Sequence, residues 1–178
     1  MLDPVIRLVI EISLGMLFLL ACVQKLRAPG VFASTVADYQ ILPAALLIPC
    51  SWMIVAVEAF AGAGLLSRVL VMPGLKAAVI LLFGYSAVIA LNLFRGRRHI
   101  DCGCTGPANR QTISEWLVVR NLTLAGAGML CIESGAEREL GVVDYTTVFF
   151  ALVVASLVYA TVNFLIASGP KLRQLRGL

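Results

Sequence analysis

Five runs of roughly 20 apolar residues, parted by short polar segments, leave this chain few folds to choose from. In hydrocarbon the backbone N–H and C=O groups must be satisfied within the protein, so runs of this length become membrane-spanning helices. Only 13% of the 178 residues are charged while 60% are hydrophobic. A soluble domain carries about 25% charge, so that class is excluded. The expected fold is all-α: a polytopic membrane helix bundle with a four-helix core and a fifth transmembrane helix, forming one integral membrane domain over 1–178. The spans are expected at about 5–26, 44–66, 71–94, 113–132 and 145–167, with a short interfacial helix at about 31–42. Ala61-Gly62-Ala63-Gly64 recurs as Ala125-Gly126-Ala127-Gly128. Small residues let helices approach closely, so the echo fits two like hairpins; it also fits the ordinary small-residue bias of membrane helices.

The polar residues inside these runs are the informative ones. Arg7 and Glu11 lie four apart on one helical face and are expected to pair. Lys25 and Arg27 close the first span, where the Pro29-Gly30 pair is read as a helix break. Glu58 sits near the middle of the second span, where a carboxylate costs several kcal/mol, roughly 2.5–3.5 on an insertion scale. It should therefore face the bundle interior, paired or protonated. Arg120 and Asn121, two turns into the fourth span, should also point inward, and Arg120 is a candidate counter-ion for Glu58 only if their depths match. Ser114 suits a helix cap and Trp116 an interfacial belt. The net charge of +4 gathers beside the apolar runs, where it anchors spans, so no nucleic-acid partner is expected; the lipid bilayer is the partner it fits.

Five cysteines leave at least one without an intrachain disulfide partner. Cys22, Cys50 and Cys131 lie within or at the ends of apolar runs, where cysteine behaves as a small hydrophobe. Cys102 and Cys104 differ, because Arg95 to Pro107 is the one polar loop that holds two cysteines two residues apart. Gly103 lets the backbone bend enough to close such a pair, and a ring this small is strained, which makes its disulfide labile and oxidising. Arg97, Arg98 and His99 favour a thiolate, whereas Asp101 opposes it. His99, Cys102 and Cys104 also offer an imidazole and two thiolates to Cu(I) or Zn(II), but no second cluster supplies a fourth ligand. Thiol–disulfide exchange, a metal site and a purely structural loop all remain open on these residues. Chain parity places Cys22, Cys50, Cys102 and Cys104 toward one face of the membrane, so a relay through Cys22 and Cys50 is conceivable.

Taken together, Gln24-Lys25-Leu26, Tyr39-Gln40-Ile41-Leu42-Pro43, Glu58, Asp101-Cys102-Gly103-Cys104-Thr105-Gly106, and Trp116 followed by Arg120-Asn121 resemble MauE, the methylamine utilisation membrane protein family, which is grouped with DoxX-like redox-associated membrane proteins. Thr105 departs from the aromatic residue expected there. The resemblance implies a multi-pass protein of the bacterial inner (cytoplasmic) membrane with a part in maturing the periplasmic methylamine dehydrogenase. That enzyme's small subunit is rich in disulfides and carries a tryptophan tryptophylquinone. The implied partner is MauD, a thioredoxin-like protein, and Cys102 and Cys104 are the implied exchange residues. A quinone as electron carrier follows only by fold analogy with DsbB and vitamin K epoxide reductase bundles. A docking protein without redox chemistry is the alternative, and a soft-metal carrier a further one.

Charge and resemblance disagree about sidedness. The end that carries the cysteine loop collects Lys25, Arg27, Arg95, Arg97, Arg98, Arg110, Lys171, Arg173 and Arg176, leaving Arg7, Arg68, Lys76, Arg120 and Arg138 elsewhere. The positive-inside rule puts that end in the cytoplasm. The implied partners are periplasmic. Because the partner constraint is functional and the charge rule statistical, the periplasmic side is the expectation adopted.

Overall fold

The computed structural model describes residues 2–67, 69–102, 112–133 and 140–176. Among these residues lie six helices in the order α1 (Pro4–Arg27), α2 (Pro29–Asp38), α3 (Ala44–Leu66), α4 (Val71–Phe94), α5 (Glu115–Glu133) and α6 (Val142–Arg176). Five of them, all but α2, are long and apolar enough to cross a membrane. The all-helical, multi-pass architecture is thus the one the apolar runs dictate.

Local chemistry fixes the ends. Asp3 caps α1 by accepting from the Val5 amide at 2.8 Å, with Pro4 in the first helical position and Lys25 and Arg27 in the last turn. Pro29 does not simply break the chain. It opens α2 directly after Ala28, so the short helix occupies Pro29–Asp38 rather than 31–42. Gln40, with φ 49°, then turns the chain toward Pro43, whose extended backbone precedes α3. Pro73 sits in the first turn of α4, where a missing N–H costs nothing, and the helix runs unbroken from Val71. At its far end Gly96, with φ 74°, turns the backbone while the Gly96 and Arg97 amides close on the carbonyls of Leu93 and Asn92, both at 3.0 Å. Ser114 leaves its hydroxyl without a hydrogen-bond partner among the described residues, so the expected cap is not made there. The last helix extends beyond the expected 145–167 at both ends.

Helices α1, α3, α4 and α5 form a closed ring: α3 packs between α1 and α4, and α5 completes the circuit against α4 and α1. Leu14 and Phe18 from α1, Ala61 and Leu65 from α3, Leu75, Ala78 and Leu82 from α4, and Ala125 and Cys131 from α5 fill its core. Helix α6 leans on α1 from outside, with Val148 buried and Phe149, Phe150, Leu157, Phe164 and Leu165 exposed where lipid would lie. The expected four-helix core with an added fifth span is what the chain adopts.

Small residues set the closest contacts. A methyl group on Gly74 would come within 2.8 Å of the Gly64 carbonyl carbon and the Leu65 amide nitrogen, both backbone atoms that have no room to yield. Gly62 meets Leu19, and Gly128 meets Val79, but Gly126 faces open space. The repeated Ala-Gly-Ala-Gly is thus used twice at its second segment and once at its fourth. Gly74→Ala is expected to destabilise the bundle by about 1–3 kcal/mol, whereas Gly84→Ala, with nothing within 4 Å, should be neutral or slightly stabilising. Thermal unfolding of the two purified variants in the same detergent checks the contrast.

Candidate functional site

Two polar centres lie at or near the end of the bundle where α1 and α4 finish and α3 and α5 begin. The deeper one is built on Glu58, which is 1% exposed. Its partner is Lys25 from the last turn of α1, 6% exposed, whose ammonium donates to Glu58 Oε1. Tyr85 of α4 donates its hydroxyl to the same oxygen at 2.5 Å and accepts from Lys25 Nζ at 3.2 Å. The ammonium also lies 4.8 Å from the centre of the Phe32 ring, so α2 roofs it. Among the described residues Glu58 Oε2 has no hydrogen-bond partner, nor does the buried Oε1 of Gln24, the residue before Lys25.

This corrects two expectations. Arg120 is not the counter-ion of Glu58: its guanidinium donates to Asn163 Oδ1 on α6 at 2.6 Å and to Asn121 Oδ1 at 3.2 and 3.4 Å, and lies 5.8 Å from the Tyr159 ring. Lys25 is not an interfacial anchor, because a cation this buried is held by its carboxylate and not by water. Sequence reasoning missed Lys25 and Tyr85 as members of the site. The available signal was Glu58 itself, since a carboxylate in a span needs a cation, and Lys25 was the only lysine or arginine of the first span at the same end as the cysteine loop, apart from Arg27. Arg7 and Glu11 pair as expected, at 2.8 Å.

The shallower centre is the foot of the cysteine loop. The Ile113 amide donates to the Ile100 carbonyl at 3.0 Å, and Asp101 and Thr112 form an isolated antiparallel bridge. The two ends of the stretch 103–111 are therefore held side by side. Cys102 is buried directly beside this bridge, packed with Tyr39, Ile89, Ile113 and Leu117. Cys104, with Gly103, Thr105, Gly106 and Arg110, lies outside the described residues.

The basic flank is engaged elsewhere. Arg97 donates to Gln40 Oε1 in the turn between α2 and α3, and Arg98 pairs with Glu115 at 2.6 Å, both of its members more than half exposed. His99 is exposed. Arg97 and Arg98 thus tie the loop to the α2–α3 turn and to the start of α5. Among the described residues no group of three His, Cys, Asp or Glu side chains is arranged to hold a metal ion.

Cys22 packs with Phe32 and Val55, its thiol 3.8 Å from the Val55 carbonyl, in a packed group separate from that of Cys102. Cys50 is half-buried on α3, and Cys131 is fully buried in the central core. The structure does not bring Cys22 and Cys50 into the nest around Cys102.

Comparison with known proteins gives a consistent result. The family described as methylamine utilisation protein MauE matches residues 3–133. The chain is similar to the methylamine utilization protein MauE of Paracoccus denitrificans, 32% identical over 167 residues that cover 93% of this chain and 89% of that protein. It is likewise similar to the Methylophilus methylotrophus protein of the same name, 28% identical over 92% of this chain and 87% of the relative, and to that of Paracoccus versutus, 32% identical over 92% and 88%. No solved structure matches.

Removing one member of a buried ion pair strands the other's charge, which typically costs 3–5 kcal/mol, while replacing both by apolar groups is often neutral. Lys25→Met is therefore expected to destabilise the protein by about 3–5 kcal/mol, and Lys25→Met combined with Glu58→Leu to recover most of that loss. Unfolding midpoints of the single and double variants measure the difference.

Proposed function

Since the chain belongs to the MauE family of methylamine utilisation proteins, we propose that it is a membrane thiol–disulfide redox protein that supports disulfide formation and maturation of the methylamine dehydrogenase small subunit. Cys102 and Cys104 carry the exchange. In it an S–S bond between them breaks as one forms in the partner's dithiol, or the reverse, with two electrons and two protons passing between the pairs. The partner is the thioredoxin-like MauD, and the membrane is the bacterial inner membrane with the cysteine loop on its periplasmic side.

One observation carries this reading above the others. Cys102 is held in an apolar nest at the polar end of the bundle, on a loop whose two ends are pinned by the Asp101–Thr112 bridge, with a second cysteine two residues away. A sheltered sulfur next to a closely spaced second one can hold a labile bond away from small thiols until a docked partner opens the nest. Arg97 and Arg98 serve this arrangement by fixing the loop to Gln40 and Glu115. Asp101 serves it through the bridge, and His99 stands exposed beside it. Arg120, oriented by its neighbour Asn121, links α5 to α6 through Asn163.

The alternative, a docking protein without its own redox chemistry, draws on the same engagement of Arg97 with Gln40 and Arg98 with Glu115. The two readings part on one experiment. Cys102→Ser and Cys104→Ser are each expected to lose methylamine-dependent growth, and one of them to accumulate a mixed disulfide with the thioredoxin-like partner on non-reducing gels. Full maturation of the dehydrogenase in the Cys102→Ser, Cys104→Ser double variant would establish the docking role instead. Sidedness is read separately: an impermeant maleimide should label the reduced loop once the outer membrane is permeable, and labelling that waits for the inner membrane to be opened would place the loop in the cytoplasm.

A further inference from the structure

The buried apolar residues packed with Cys102 differ in what holds them. Ile89 and Leu117 project from α4 and α5, two helices of the closed ring, and Ile113 is tied back through its amide to the Ile100 carbonyl. Tyr39 comes from outside the ring, at the C-cap of α2. That helix has ten residues, no side chain caps its start, and it packs on α3 and α1. A helix so short is marginal by itself, and elements of this kind open at lower cost than the core they cover. Directly after Tyr39 the chain bends at Gln40, whose φ of 49° makes it the one non-glycine residue in the left-handed region among the described residues. L residues resist that conformation, so it has to be held from outside. The side chain supplies a hold: Gln40 Oε1 accepts from the guanidinium of Arg97, at the base of the cysteine loop. Arg97 is anchored in turn by its amide, which donates to the Asn92 carbonyl at 3.0 Å.

One exposed hydrogen bond therefore joins the strained turn that carries Tyr39 to the segment that carries Cys102. Its acceptor is a neutral amide, so it is worth less than a pairing with a carboxylate, such as Arg98 has with Glu115. We propose that Tyr39 is a gate over Cys102 and that the Arg97–Gln40 hydrogen bond is its latch. With the bond made, the Tyr39 ring covers the sulfur. When it breaks, Gln40 relaxes out of its left-handed conformation and the ring leaves the nest. Tyr39, Gln40 and Arg97 are then positioning residues that decide when Cys102 meets another sulfur. In that role the inference rests on the thiol chemistry proposed above. The gate itself is read on access to the thiol and not on exchange, so the two fail separately.

Full-length Cys104→Ser protein, in which Cys102 has no neighbouring thiol to pair with, is reduced, placed in phosphatidylcholine nanodiscs and treated with iodoacetamide. Mass spectrometry follows the labelling of each cysteine. Rates are compared on the alkaline plateau of the pH profile, where the thiol is ionised throughout and a change in its pKa does not enter. Arg97→Met should speed labelling of Cys102 about five-fold, the usual effect of losing one hydrogen bond, and Tyr39→Ala should speed it at least as much. Gln40→Glu offers the same guanidinium a carboxylate and should slow labelling about three-fold. Damage to the fold cannot protect a thiol, so this variant separates a latch from general loosening, and adding Arg97→Met to it should cancel the protection. Cys22, under Phe32 at the other end of α2, and Cys131, in the central core, should keep their native rates in every variant. A rate at Cys102 that is unchanged or faster in Gln40→Glu, or unchanged or slower in Arg97→Met or Tyr39→Ala, overturns the proposal. So does a rise at Cys22 or Cys131 that parallels the rise at Cys102.

Discussion

A carboxylate buried in a membrane bundle decides the arrangement of everything around it. Glu58 needs a cation that is itself out of water, and Lys25 meets that need only because α1 runs far enough to bring its last turn over α3 and because α2 turns back at Pro29 to roof it with Phe32. Tyr85 then ties α4 to the same oxygen. Three of the four core helices thus converge on one atom, Glu58 Oε1. The small-residue contacts of Gly62 and Gly64 lie on the same helix one to two turns further on, where α3 presses against Leu19 of α1 and Gly74 of α4. Apolar packing has no preference between neighbouring lipid and neighbouring helix; the polar knot and the close glycine contacts supply the specificity that hydrophobicity cannot.

How much of this was legible in the sequence depends on which physical signal was strong. Span lengths follow from the thickness of hydrocarbon, and the five long helices sit within a few residues of the apolar runs. Glu58 stood out because a carboxylate in such a run is expensive. Its partner did not, because relative depth and rotation of two helices are tertiary facts. Lys25 looked like an end-of-span anchor as long as the Pro29-Gly30 pair was read as a break. Proline at a first helical position starts a helix as readily as it ends one, and here the resulting helix covers the lysine. Arg120 was a reasonable rival on charge alone, yet α6 offers it Asn163 and Tyr159. The burial of Cys102 was likewise hidden: a cysteine in a polar loop gives no sign that Tyr39, from a different connection, and Ile113, across a one-residue bridge, will close over it.

The buried lysine also bears on sidedness. Lys25 was one of nine basic residues credited to the loop end of the molecule, but its charge is neutralised within the bundle rather than presented to a headgroup layer. Arg98 is offset by Glu115. Residues that serve a site carry less weight as topological anchors than those that only flank a span, so the excess on that end is smaller than a count along the sequence makes it.

Helix α2 and the residue that follows it touch both polar centres. Phe32 faces the Lys25 ammonium, and Tyr39, seven residues on and about 10 Å along the helix axis, packs beside Cys102. Helix α2 and its C-cap residue therefore touch both the membrane-embedded ion pair and the nest around the loop cysteine. Gln40, directly after it, accepts from Arg97 of the loop. A displacement of α2 cannot leave either centre unchanged: lifting Tyr39 uncovers Cys102, and shifting Phe32 unroofs Lys25. The short helix that the sequence marked only as interfacial gives, by its contacts, a direct physical connection between the loop and the bilayer, and α4 gives a second through Tyr85 on Glu58 and Ile89 beside Cys102.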